Sequence, residues 1–169
     1  LGIVELNNKS EEGIVAARMF EKKQLIRNGC KIRYEDVDGT FGWTMQEDER
    51  IDGDLILLGD TLDLNGHTLM IDGNLYQSSG VVKVNNGTLV VTGDYNVQTY
   101  VYNDGEVSFA AGDGTLVMTE EQDRIEIGGN MILNPKTQDT VITNGVIVLK
   151  GNLTCSRYVV MQDQALLQL

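Results

Sequence analysis

The sequence predicts an all-β fold, a single-stranded parallel β-helix in which a three-sided coil of about 20 residues repeats. Three observations predict it. Val, Ile and Leu come in short runs with a period of two, which is the period of a strand and not of a helix. Each run is soon followed by Gly, Asn or Asp, which turn the chain sharply. The pattern then returns 20 residues later, as expected of a chain that coils back above itself with its strands about 4.8 Å apart.

The repeat is clearest from residue 53 onward, where "GDLILLGDTLDLNGHTLMID" is followed by "GNLYQSSGVVKVNNGTLVVT" and "GDYNVQ". Leu55, Leu75 and Tyr95 align, which predicts inward stacks of apolar side chains as the core of a solenoid. The alternation predicts the following outward residues: Ile56, Asp63, Met70, Tyr76, Lys83 and Val90. Gln77 is the exception, because it aligns with Leu57 and is predicted to face inward. It requires either a hydrogen-bond partner inside the coil or a bent strand.

Later copies of the repeat are looser. "GTLVMT" at 114–119 repeats "GTLVVT" at 87–92, whereas "GGNMIL" at 128–133 and "KGNLTC" at 150–155 repeat the opening of a block. The alignment of these echoes predicts that the coil continues to the last residues of the sequence.

One coil is longer than the others. Gly93 and Gly129 lie 36 residues apart, which predicts an insertion near residues 99–114. We therefore expect residues 51–169 to form β-helix coils with this one insertion.

Residues 1–50 are predicted to form an N-terminal cap or linking segment. Ser10, followed by two glutamates, and the composition of "AARMFEKKQLIRN" fit a helix that would cap the open end of the solenoid. "GIVAARMF" and "CKIRYE" fit irregular strands instead. Both alternatives stay open on the residues alone.

Asn65 and Asn85 fall at a corner of the predicted coil. Their side chains could bond along the solenoid axis, or the turn alone could account for them, since Asn tolerates the left-handed conformation.

Composition limits the function classes. The chain of 169 residues carries a formal charge of −12, which repels nucleic-acid phosphates. No apolar run is long enough to span a membrane, so no membrane insertion is expected in this segment. The two cysteines are too few for a disulfide framework, and we expect buried free thiols. The sequence begins and ends in mid-pattern, which predicts a segment of a longer protein.

No catalytic residues are predicted. His67 is the only histidine, and its alignment with Gly87 at a corner predicts a solvent-facing side chain that the coil does not need. A pair of catalytic carboxylates would have to share one groove, but Asp63 aligns with Lys83 and no face accumulates acids. We expect no enzyme and no cofactor.

Two kinds of ligand remain as candidates. Acidic loops could hold calcium, with Asp104 and Asp113 as the candidate ligands, although no loop matches a known calcium motif. Exposed aromatic rings could stack on sugars, or they could fill gaps where the coils are irregular. The candidate aromatic residues are Trp43, Tyr76, Tyr100 and Tyr102.

The stretch "FGWTMQEDERIDGDLILLGDTLDLNGHTLMIDGNLYQSSG", with "NNGTLVVTGDYNVQ", resembles repeat segments of large uncharacterised bacterial proteins, mostly of clostridia and their relatives. The resemblance is good over residues 41–98 and loose over 99–169. It implies tandem units of this type in a secreted or surface protein, an extended N-terminal stretch, and no assigned activity. The phrase "LDLNGHTL" also recurs in pectate-lyase-like β-helices, where it is a structural rung.

The sequence therefore predicts a non-catalytic structural or presentational β-solenoid segment of a larger bacterial extracellular or surface protein. Its expected partners are neighbouring repeats of the same chain, with a glycan or a second copy as further candidates. The alternatives are a carbohydrate-binding or polysaccharide-cleaving β-helix, which predicts a groove lined by aromatics and acids, and a self-assembling filament element.

Overall fold

A computed structural model describes residues 14–17, 31–34, 42–104 and 106–169. Throughout these ranges the chain is all-β and has no helix, so that none is present that could cross a membrane. Parallel strands stacked about 20 residues apart form a β-solenoid of about six turns. The predicted parallel β-helix is confirmed.

The coil has three faces, and the first carries the opening strand of each block. In stacking order it consists of β1 (Ile14–Ala17), β2 (Lys31–Tyr34), the first part of β5 (Leu55–Asp63), the first part of β7 (Leu75–Lys83), β9 (Tyr95–Val97), β14 (Met131–Leu133) and β17 (Leu153–Cys155).

The second face uses the later parts of β5 and β7. Its other strands are β3 (Gly42–Thr44), β12 (Thr115–Val117), β15 (Thr140–Ile142) and β18 (Val159–Met161). After β15, the Thr143 N–H donates to the Met118 carbonyl at 3.1 Å, which ties the coil of β15 to the coil of β12.

The third face is one continuous sheet. Its strands in stacking order are β4 (Glu49–Asp52), β6 (Thr68–Asp72), β8 (Thr88–Val91), β13 (Arg124–Ile127), β16 (Val146–Leu149) and β19 (Leu166–Gln168). The remaining two strands, β10 (Thr99–Asn103) and β11 (Glu106–Ala110), form an antiparallel hairpin between the first and second faces of the coil that β9 opens.

Strand register reproduces the 20-residue phase of the sequence. Leu55 pairs with Leu75, which pairs with Tyr95, and Asp63 pairs with Lys83 as predicted. The inward residues of all three faces form one buried apolar cluster along the axis. This cluster is the core that the alternation predicts.

Ile56 shows that an outward-facing residue of the first face can be buried. It alternates with the core residues Leu55 and Leu57 and does not belong to the core cluster, yet it is fully buried. In the register it lies beside Tyr76, whose ring packs under the hairpin.

The echo between "GTLVMT" and "GTLVVT" is misleading about position. Leu116 of the first phrase pairs with Val82 on the second face, whereas Leu89 of the second phrase pairs with Ile125 on the third. The hairpin ends before β12, so β12 still has to supply the second face of its coil. The similar phrases therefore lie on different faces.

The described part of the N-terminal region is extended. β1 pairs in parallel with β2, and β2 pairs with β5. Residues 14–17 are thus a strand and not the start of a capping helix, while residues 18–30 lie outside the described ranges.

The expectation of buried thiols is wrong for Cys155, which is a free and exposed thiol on β17. It lies on the last described coil, where strands have a neighbour on one side only. Cys30 lies outside the described residues.

Candidate functional site

The polar residues that open each block form a ladder along one corner of the solenoid. We call this set the opening ladder, and it consists of Asp54, Asn74, Asp94, Asn130 and Asn152. In every step the side-chain Oδ1 of one residue accepts a hydrogen bond from the main-chain N–H of the next, over 2.7–3.0 Å. The stacked acids and amides of this corner are therefore axial connectors.

The glycine before a ladder residue makes room for the ladder side chain of the preceding coil. A Cβ on Gly93 would overlap the Oδ1 of Asn74, and a Cβ on Gly129 would overlap the Oδ1 of Asp94. A Cβ on Gly73 would meet the main chain of Gly53 first, at 2.6 Å, and Asp54 Oδ1 at 2.8 Å. The Gly-Asx pair that opens each block is thus one device, because the glycine of one coil accommodates the side chain of the coil before it.

The asparagine corner combines both sequence interpretations. Asn65 and Asn85 have φ of 48° and 45°, in the left-handed region that the turn requires. Their Nδ2 groups also donate to the preceding coil, to the Met45 carbonyl at 3.1 Å and to Asp63 Oδ1 at 2.9 Å. Each asparagine therefore bonds along the axis, although not to the other asparagine.

Gln77 faces inward and is fully buried, as predicted. Its Nε2 donates to the carbonyls of Thr115 and Gly80, at 2.9 and 3.1 Å, and its Oε1 accepts from the Tyr95 hydroxyl at 2.6 Å. Burial raises the pKa of Tyr95 well above its ordinary value. The pairing of β5 with β7 also shifts register directly after the Leu57–Gln77 pair. The buried hydrogen bonds of Gln77 and the strand irregularity therefore occur together.

Asp123 is a carboxylate whose burial was not predicted from the sequence. It is 1% exposed, and its Oδ1 accepts from the Asn86 N–H at 2.7 Å. Its Oδ2 accepts from the N–H groups of Thr119 and Glu120, at 2.8 and 3.1 Å. Three main-chain donors thus engage the carboxylate, and it joins two coils at the corner between the second and third faces.

His67 lies at a corner, as predicted, with its side chain 32% exposed. Its Nδ1 is 3.5 Å from Asp48 Oδ1, and that same oxygen accepts the Thr68 N–H at 2.8 Å. The described residues place no nucleophilic serine or cysteine in contact with this pair.

The two candidate calcium ligands lie at opposite ends of the hairpin. Asp104 is exposed at its tip, and Asp113 follows its base and forms an ion pair with Lys136 at 2.8 Å. Among the described residues no group of three or more His, Cys, Asp or Glu side chains is arranged to hold a metal ion.

Two of the four candidate aromatics meet in one cluster. The rings of Tyr76 and Tyr100 lie 5.1 Å apart, and Phe109 of the hairpin stacks on Tyr76 at 5.7 Å and meets Tyr100 edge-on. Burial raises the pKa of Tyr76 to about 12, and the Asp54 carboxylate adds to this shift. Packing against one another, these rings attach the hairpin to the first face of the coil.

The other two candidate aromatics are placed by their strand pairing. Trp43 is in β3, paired with Leu62, and Tyr102 is in β10, paired with Val107. Trp43 and Tyr102 therefore lie on two different strand pairs, β3–β5 and β10–β11.

A cleft of about 240 Å³ opens on the second face between β12 and β15. Its polar lining comes from Thr115, Thr119, Gln138, Asp139 and Thr140. Asp139 is the one carboxylate among the lining residues, so the cleft does not hold the pair of carboxylates that glycoside hydrolysis uses.

Comparisons with protein-family models, with curated proteins and with solved structures find no match for this chain. Its function is therefore inferred from its own geometry.

Proposed function

We propose that this chain is a non-catalytic structural or presentational β-solenoid segment of a larger bacterial extracellular or surface protein. In this role it is a rod that extends or displays other parts. The bacterial and surface placement rests on the resemblance of residues 41–98 to clostridial repeats.

The observation that carries the proposal is the opening ladder. Its side chains are the acids and amides that stack at like positions in successive coils, the arrangement from which a binding or catalytic face would be built. Four of the five instead direct an oxygen to the main chain of the next coil. Charge-assisted and amide hydrogen bonds of this kind support stacking along the axis.

Asp63 and Asp123 extend this pattern to the corner between the second and third faces. Asp63 Oδ1 accepts from the main chain of Asn65 and from the side chain of Asn85 in the next coil. Asp123 binds three N–H groups of its own and the preceding coil. Polar residues at two corners thus support the coil itself.

A glycan array and a calcium titration of the purified chain test this proposal. We expect no selective glycan binding and no saturable calcium-induced stabilisation. Selective binding to one class of polysaccharide would refute the pure scaffold role. Alanine at Lys83, an exposed outward position, is the matched control that should change nothing in either assay.

A filament element is the second candidate, and the exposed apolar residues of the last described coil favour it. Leu166 and Leu169 are 53% and 86% exposed, and Leu167 is only partly buried against the core. We propose that a coil of a second copy stacks on these exposed leucines. Light scattering should detect concentration-dependent polymers that a charge at Leu167 abolishes, and concentration-independent scattering would argue against it.

A further inference from the structure

The hairpin presents a second open edge, on the side of the rod. β11 pairs with β10 along one edge, and all five of its residues are exposed. No described strand pairs with its other edge. Its sequence, Glu-Val-Ser-Phe-Ala, contains neither the Lys nor the Pro by which edge strands commonly avoid pairing.

The turn indicates which main-chain groups point to this open edge. Two residues separate the strands, and the first, Asp104, has φ of 49°, the positive value that two-residue hairpin turns have at this position. Glu106, next to such a turn, is in a hydrogen-bonded pair, and bonded and non-bonded pairs alternate from there. Ser108 therefore bonds toward β10, whereas Val107 and Phe109 direct their N–H and C=O groups outward.

We propose that β11 pairs with β11 of a second copy of this chain, antiparallel and centred on Ser108, so that two solenoids join side by side. In this register Val107 of each copy lies opposite Phe109 of the other. These are the residues with outward main-chain groups, and each such pair exchanges two N–H···O=C hydrogen bonds.

The side chains of the same two residues favour this register. Val107 and Phe109 are 42% and 43% exposed, and they lie on the hairpin face that also carries Tyr100. Pairing them across the copies sets an aromatic against a β-branched side chain, a favourable cross-strand combination. In the dimer, the apolar side chains of the two β11 strands would form one surface that connects the aromatic cluster of one copy with that of the other.

Charge selects the same register. The chain carries −12 overall, so contact between copies requires that its acids be kept apart. Centred on Ser108, the two Glu106 residues lie four strand positions apart, about 13 Å, which exceeds the Debye length of about 8 Å at physiological salt. A parallel in-register pairing would instead place Glu106 directly opposite Glu106.

Disulfide trapping in the full chain tests the register directly. In a background with Cys30→Ala and Cys155→Ala, Ser108→Cys places two thiols in a non-hydrogen-bonded antiparallel pair, with Cα atoms about 4.5 Å apart. We expect mild oxidation to convert this variant to a covalent dimer. The matched control, Glu106→Cys, should stay monomeric because its Cα atoms lie far outside disulfide range. Equal trapping of both variants, or trapping of neither, overturns the proposal.

Sedimentation equilibrium tests the pairing without cross-links. The interface is small, so the unsubstituted chain should be a weak dimer, detectable at concentrations up to about 0.5 mM. Val107→Lys should raise the dimer dissociation constant about tenfold or more, although it lowers the net negative charge. Val101→Lys adds the same charge to the other face of the hairpin and should leave the dimer intact.

Three results would overturn the proposal. A chain that stays monomeric at all concentrations excludes the pairing, and so does a dimer that Val107→Lys leaves unchanged. A dimer that is lost with Leu169→Lys but kept with Val107→Lys forms through the end of the rod. Circular dichroism should show the same strand content in all variants, which separates loss of pairing from loss of fold.

Discussion

Asp123 lies buried at the corner between the second and third faces, with three main-chain N–H groups around its carboxylate. Asp123→Ala leaves these donors without their acceptor in a site closed to water. We expect the free energy of unfolding to fall by about 3 kcal/mol, because hydrogen bonds to charged groups are the stronger kind and buried unsatisfied donors are costly. Urea denaturation followed by circular dichroism measures this.

Asp113→Ala, in the same coil, is the control for Asp123→Ala. It removes an ion pair whose two side chains are 61% and 48% exposed, and exposed pairs contribute little. We expect no resolvable change in stability. Equal losses in the two variants would mean that the buried hydrogen bonds of Asp123 are not what stabilises this corner.

Tyr76 should make the free energy of unfolding depend on pH in the alkaline range. Its pKa is about 12 in the folded chain and about 10 when unfolded. The unfolded state therefore loses its proton first, so the contribution of Tyr76 is fully present below pH 10 and is lost as the pH rises toward 12. Tyr76→Phe should make the free energy of unfolding fall less steeply between these values.

Denaturation series at pH 9 and pH 11 measure this difference. Tyr158→Phe, at a site that is 79% exposed, serves as control and should leave the pH dependence as it is in the unsubstituted chain. A Tyr76→Phe variant with an unchanged slope would refute the assignment of this pH dependence to Tyr76.

Gln77 and Asp123 show how far single residues could be predicted from the sequence. Gln77 lies in the gap-free part of the repeat, so its alignment with Leu57 predicted an inward side chain, which the structure confirms. Asp123 follows the hairpin, where the phase of the repeat is lost and no aligned residue shows which way it points. Its burial depends on the N–H groups of Asn86 and Thr119, which only the folded coil brings together.

At the scale of the coil corner, Gly93 and Asn74 depend on one another. Gly93 has no left-handed φ. A Cβ at this position would overlap the Asn74 Oδ1 and would also lie 2.9 Å from the Gly73 carbonyl oxygen. Gly93→Ala should cost about 2–3 kcal/mol, as overpacking does. Asn74→Ala should cost about 1 kcal/mol, since it removes the acceptor of the Asp94 N–H.

The double variant tests this dependence. Asn74→Ala removes the nearest obstacle to the new methyl group and leaves the Gly73 carbonyl oxygen at 2.9 Å. The loss of stability in the double variant should therefore be smaller than the sum of the two single losses. Thermal and urea denaturation of the four proteins measure the coupling. Strict additivity would contradict the claim that the glycine exists to accommodate the ladder side chain.

Strands were predictable as elements where the repeat is regular, whereas the face of a strand was not predictable where the repeat is irregular. The period of two and the 20-residue return are enough to define β5 to β8, since each inward residue has an aligned partner. "GTLVMT" repeats the letters of β8 and yet forms β12 on another face. Local sequence specifies a strand, whereas its face depends on how many corners precede it, and the hairpin changes that count.

At the scale of the whole molecule, each coil packs only on the coils before and after it, so stability should vary along the rod. Central strands such as β8 have paired neighbours on both sides, whereas β17 and β19 have one each. In such a stack, stability approximates a sum of coil and interface contributions. The last described coil should therefore open alone, at a lower free energy than the centre.

Two leucine variants separate central from terminal stability. Leu89 is fully buried in the central coils, and Leu89→Ala should lower the global free energy of unfolding by about 3 kcal/mol. Leu167 is partly buried in the last coil, so Leu167→Ala should leave the main transition almost unchanged. Amide hydrogen exchange should then quicken in β17 to β19 only. Uniform acceleration in both variants would show that the rod unfolds as one unit, since a local opening in the last coil cannot expose the amides of β8.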